Sequence, residues 1–95
     1  MMVERSVQIL NKLGLHARPA AEIVKAASKF KSEITISRED IEVNGKSIMG
    51  VMMLAAAQGS VIGIETEGED EEEALAALVK LIGSGFGEEM ADKAR

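Results

Sequence analysis

With 95 residues, 46% of them apolar, the chain can bury one modest core but has no room for a substrate domain beside a scaffold. A formal net charge of −5, with two Phe and no Tyr or Trp, excludes a nucleic-acid partner, which needs a basic footprint and stacking rings. The lack of cysteine excludes disulfide frameworks, thiol catalysis and thiolate metal sites, and a single His would leave a zinc site to carboxylates.

No basic segment followed by an apolar run opens the chain, and no stretch approaches bilayer length. A cytoplasmic protein with no membrane insertion is expected. Val3, Arg5, Val7 and Ile9 alternate with Glu4, Ser6 and Gln8, the pattern of a half-buried strand. Asn11 to Gly14 reads as a loop. From Ala17 the period changes: Ala20, Ile23, Val24, Ala27 and Phe30 recur at helical spacing, with Arg18, Glu22, Lys25 and Lys29 opposite. Pro19 falls in the first turn, where its missing N–H has no intrahelical bond to lose, and His16 falls near the N-cap.

Ile34 and Ile36 mark a second strand, and Ile41 and Val43 a third, joined through Glu39-Asp40 without the Asn-Gly character that tight hairpins favour. Ser47 is placed to cap a short helix from Ile48 to Leu54, with Val51, Leu54 and Ala55 as its buried face. A fourth strand runs from Val61 to Thr66, with Ile62, Ile64 and Thr66 on one face. Asp70 and Glu73 have capping-box spacing ahead of a last helix striped by Ala74, Leu75, Leu78, Leu81 and Ile82, with Gly83 as its C-cap. The expected architecture is α+β, βαββαβα: a four-stranded antiparallel sheet with three helices on one face. It forms a single domain with its core in residues 3–83 and a flexible tail over 84–95.

The chemistry concentrates in Gly14-Leu15-His16-Ala17-Arg18-Pro19-Ala20-Ala21. A helix N-terminus offers unpaired amides and a positive dipole end to an anion. His16 puts an imidazole beside the amides of Ala17 and Arg18. The Arg18 guanidinium can fork onto phosphate oxygens. Arg18 has the wrong sign for the helix dipole, which makes sense if an anion visits. Imidazole is largely unprotonated near neutral pH and is then nucleophilic, so His16 can take up a phosphoryl group covalently and release it from a labile phosphoramidate. Such a protein is a carrier rather than a turnover enzyme, and no cofactor is called for. A lone loop histidine is the plainer alternative; Gly14, Arg18 and Pro19 together favour function.

Leu15-His16-Ala17-Arg18-Pro19-Ala20 resembles the active-site signature of the HPr family, the histidine-containing phosphocarriers of the bacterial phosphoenolpyruvate-dependent sugar phosphotransferase system. Lys46-Ser47-Ile48-Met49-Gly50-Val51-Met52 resembles that family's second signature, the regulatory serine region, and the likeness covers roughly residues 3–83. The resemblance implies an open-faced β-sandwich. It implies that enzyme I phosphorylates His16 at Nδ1, that Arg18 stabilises the phosphoryl group, and that IIA domains of sugar permeases receive it. Ser47 would be a target of HPr kinase/phosphorylase, with transcriptional regulators as further partners and a monomer as the expected state. A catabolite-repression paralogue lacks the active histidine, so His16 argues against that assignment.

Ser47 is by itself an ordinary N-cap, worth about 1 kcal/mol; the resemblance adds the regulatory role. Ile48, Met49 and Met52 read as an apolar docking patch, with burial in the core as the alternative. The acidic run of Glu65, Glu67, Glu69, Asp70, Glu71, Glu72 and Glu73 is a solvated strand end leading into a helix first turn, where acids are favoured, and no metal is expected there.

Overall fold

The computed structural model describes residues 2–88. In chain order these form β1 (Met2–Gln8), α1 (Ala17–Ala27), β2 (Glu33–Arg38), β3 (Ile41–Asn44), α2 (Ile48–Met53), β4 (Val61–Glu67) and α3 (Glu71–Gly83). The strands build one antiparallel sheet in the order β1-β4-β2-β3. Its register puts Ile62 opposite Val7, and Ile36 opposite both Ile64 and Val43. Strand side chains alternate across the sheet, so Ile34, Ile36, Ile62, Ile64 and Thr66 point into one buried layer. The other face is open and polar, lined by Glu4, Thr35, Ser37, Glu42 and Glu65.

The helices cover the apolar face. In α1, positions three and four apart put Pro19, Ala20, Ile23 and Ala27 on the buried side, with the small alanines allowing close approach. Burying Ile23 alone contributes roughly 2 kcal/mol. Ala74, Leu78 and Ile82 do the same for α3. Thr66, the polar member of the strand layer, is satisfied by donating its hydroxyl to the Glu71 carbonyl at 2.7 Å. The result is the expected open-faced α+β sandwich.

Four local expectations are corrected. Ala55 is exposed and left-handed (φ 49°), so the face of α2 is sealed instead by Val51, Leu54 and Ala56. The capping box at α3 does not form. The Asp70 carboxylate leaves its own helix to accept from the Lys31 and Ser32 amides and the Ser32 hydroxyl, tying α3 to the start of β2. In its place Glu71 Oε1 accepts from the Gly68 amide at 3.0 Å. Gly83 ends the helix rather than capping it; Ser84 is the C-cap, and left-handed backbone begins only at Gly85.

The expected tail differs most. After α3 the chain makes a tight 3₁₀ turn, Gly85–Gly87, in which Gly85, Phe86 and Gly87 all have positive φ. This reverses the backbone and drives the Phe86 ring into the core, with Glu88 following it back over the start of α1. The burial of one large aromatic explains why residues 85–88 pack. The rest of the expected tail, 89–95, lies outside the described residues.

Candidate functional site

The loop ahead of α1 is pinned from both sides. Gly14 adopts φ 66°, and a Cβ there would lie 2.5 Å from the Ala56 carbonyl oxygen, so glycine is required by both conformation and space. That same carbonyl accepts from the Leu15 amide at 2.9 Å, and the Leu15 side chain is buried. These contacts deliver His16 as the extended N-cap of α1 (φ −79°, ψ −171°). Its side chain does not cap the helix. The amides of Ala17 and Arg18 have no hydrogen-bond partner among the described residues, so the helix mouth is open to an anion.

Around the imidazole lies a cluster that reading the chain in order missed. Glu88 reaches His16 Nε2 with both carboxylate oxygens, at 2.9 and 3.1 Å. Asn11, fully buried, donates Nδ2 to Glu88 Oε1 at 2.9 Å and to the Gly14 carbonyl at 2.8 Å. Arg18 donates Nε to Glu88 Oε2 at 2.9 Å and Nη2 to the Phe86 carbonyl at 2.8 Å. Its Nη1 reaches Glu22, one turn on, at 2.7 Å. The His16 side chain remains 36% exposed while that of Glu88 is only 13% exposed. Desolvation pushes the Glu88 carboxyl up, but the hydrogen bonds from His16, Asn11 and Arg18 outweigh it and hold the group below its ordinary range. His16 Nδ1 has no hydrogen bond within the described residues.

His16 and Arg18 thus meet on the Glu88 carboxylate, and the guanidinium is already engaged by Glu88 and Glu22. Ser47 is the N-cap of α2, its Oγ accepting from the Gly50 amide at 3.1 Å. Beside it, Ile48, Met49 and Met52 are exposed, Met49 by 76%, so they are surface rather than core. Met53 and Leu13 are exposed too, Leu13 by 74%, and neither stood out in the sequence. In the acidic run, Asp70 and Glu71 serve backbone amides, and Glu69 forms an exposed pair with Lys31. Among the described residues no group of three or more His, Asp or Glu is placed to hold a metal, and no helix is long and apolar enough to cross a membrane.

Fold and site together define a small open-faced α+β sandwich presenting a partly exposed imidazole at a helix mouth. The family model described as the PTS HPr component phosphorylation site matches residues 3–84. Phosphocarrier protein HPr of Neisseria meningitidis is 56% identical over 87 residues, covering 92% of this chain and 98% of that protein. HPr-like protein Crh of Halalkalibacterium halodurans is 52% identical over 81 residues, 85% of this chain and 96% of the relative. A crystal structure of HPr-C-His from Thermoanaerobacter tengcongensis superposes with a TM-score of 0.88 at 55% identity, covering 92% of this chain and 98% of that one. The chain belongs to the HPr family.

Proposed function

We propose that this protein is a cytoplasmic phosphocarrier of the phosphoenolpyruvate-dependent sugar phosphotransferase system, taking a phosphoryl group from enzyme I onto His16 Nδ1 and passing it to IIA domains of sugar permeases. The observation that carries the reading is that His16 Nδ1 and the amides of Ala17 and Arg18, together at the mouth of α1, have no hydrogen-bond partner among the described residues. A phosphoryl group arriving there meets a nucleophile, two donors and the positive end of a helix. Arg18 assists through Nη1. Its bond to Glu22 is an exposed pair four residues apart, worth a few tenths of a kcal/mol, and exchanges readily for a phosphoryl oxygen.

Ile48, Met49 and Met52 form the docking surface for enzyme I and the IIA domains, their exposure on the short helix supporting this role. Ser47 is the site for HPr kinase/phosphorylase. A phosphate there sits on the N-terminus of α2 and adds charge to the docking face without unfolding the helix. Transcriptional regulators recognising that phosphorylated face are a second class of partner.

The test is incubation with enzyme I and phosphoenolpyruvate, followed by site mapping. One acid-labile phosphate on His16, abolished in His16→Ala, supports the reading. An unmodified protein, or a phosphate on another residue that survives His16→Ala, overturns it.

A further inference from the structure

The histidine has two ring nitrogens, and only the one lacking a proton can attack phosphorus. In this structure Glu88 stands beside one of the two. Both oxygens of Glu88 lie within hydrogen-bond distance of Nε2, while Nδ1 has no partner among the described residues. A carboxylate held below its ordinary range is an acceptor and not a donor, so the neutral ring must carry its proton on Nε2. We infer that Glu88 is a positioning residue for phosphoryl transfer: it holds the Nε2–H tautomer of His16 and leaves the Nδ1 lone pair free to attack.

The carboxylate is itself held in place. Asn11 donates to its Oε1 and Arg18 Nε to its Oε2, at 2.9 Å each. Phe86 pins the chain behind it, the ring buried and the carbonyl bound to Arg18. The turn uses a left-handed phenylalanine (φ 59°) between two left-handed glycines, an unfavourable backbone offset by burying that ring. Asn11 supports the carboxylate through its amide nitrogen, while its Oδ1 is buried without a partner among the described residues. It is fully buried, and its two donated bonds go to the Gly14 carbonyl and to Glu88. These contacts join residues 11, 16, 18, 86 and 88 into one scaffold for the imidazole.

During transfer the Nδ1 lone pair forms the new bond to phosphorus as the donor's bond to phosphorus breaks, the donor leaving with that electron pair. The proton on Nε2 stays where it is. The ring becomes cationic as the bond forms, and Glu88 lies against the nitrogen that carries the charge. An aligned carboxylate supports an imidazole in the same way in hydrolase triads, where it fixes the tautomer and balances the imidazolium.

The role in transfer rests on the phosphocarrier reading, but the tautomer is measurable without it. Ring ¹⁵N shifts of His16 are recorded at alkaline pH, where the two neutral tautomers give distinct patterns. The parent should show Nε2 protonated. Glu88→Ala should lower the ratio of Nε2–H to Nδ1–H by about tenfold, the expected effect of losing one charge-assisted hydrogen bond. The same variant should slow phosphoryl uptake from enzyme I by about tenfold for a separate reason, since the ring that turns cationic as the bond to phosphorus forms loses its balancing carboxylate, and Glu88→Gln, which keeps one acceptor oxygen, should fall between. A parent-like tautomer ratio in Glu88→Ala, or an altered ratio with a parent-like uptake rate, overturns the inference. A parent that takes up no phosphoryl group fails the carrier reading and the transfer role, while the ring shifts still decide the tautomer.

Discussion

Replacing Gly14 with alanine tests how the active loop is held. Two costs coincide at this position. A left-handed backbone costs an L-residue about 1–2 kcal/mol. The new Cβ would also stand 2.5 Å from the Ala56 carbonyl oxygen and 3.0 Å from the Ala57 Cα, both backbone atoms that cannot swing aside. Relieving that contact stretches the Leu15–Ala56 hydrogen bond, now 2.9 Å, at a further cost of about 1 kcal/mol. Gly59→Ala separates the two effects, because Gly59 has φ 90° with nothing within 4 Å of its missing Cβ. Urea unfolding followed by circular dichroism is the assay. Gly14→Ala should lose about 2–3 kcal/mol and Gly59→Ala about 1, a difference of roughly 1 M in midpoint at the usual slope for a small domain. Phosphoryl uptake by His16 should fall only in Gly14→Ala. Equal destabilisation of the two variants would refute the steric half of the reasoning.

Three further outcomes are expected. Ser47→Ala removes the acceptor for the Gly50 amide and should cost about 1 kcal/mol in chemical unfolding, whereas Ser47→Asp keeps a cap and should retain stability while binding enzyme I more weakly. The Ser32 hydroxyl and the Lys31 amide hold the Asp70 carboxyl below its ordinary value, so its contribution to stability is complete above the unfolded value of 3.8 and is lost as pH falls through the lower folded value; Asp70→Asn should flatten the acid limb of a stability-against-pH curve. Met49→Glu, at a side chain 76% exposed, should leave the melting temperature nearly unchanged while weakening enzyme I binding in calorimetry, and an unchanged affinity would remove Met49 from the docking surface.

The features legible in the chain were those encoded within a few residues of each other. His16 and Ser47 were placed at helix caps by local pattern, and both occupy N-cap positions in the structure. Alternation in β4 correctly put Ile62, Ile64 and Thr66 on one buried face. Glu88 escaped notice because it acts on a ring 72 residues away, through a turn whose glycines look like mobility when read in order. The available signal was Phe86, one of two aromatics in the chain, set between glycines ahead of an acid. Asn11 read as loop because polarity is ordinary there; its bond to Glu88, 77 residues on, is not encoded locally. Asp70 misled for a similar reason. Its spacing to Glu73 fits a cap, yet the amides of Lys31 and Ser32, brought close by the sheet, compete successfully for the carboxylate.

The bare side of the sheet has a practical use. Glu42 is exposed on it, turned away from the helices, and the chain has no cysteine. A single thiol introduced at that position would accept a dye or a surface tether from behind, leaving the histidine and methionine side unobstructed for watching one carrier meet its partners in turn.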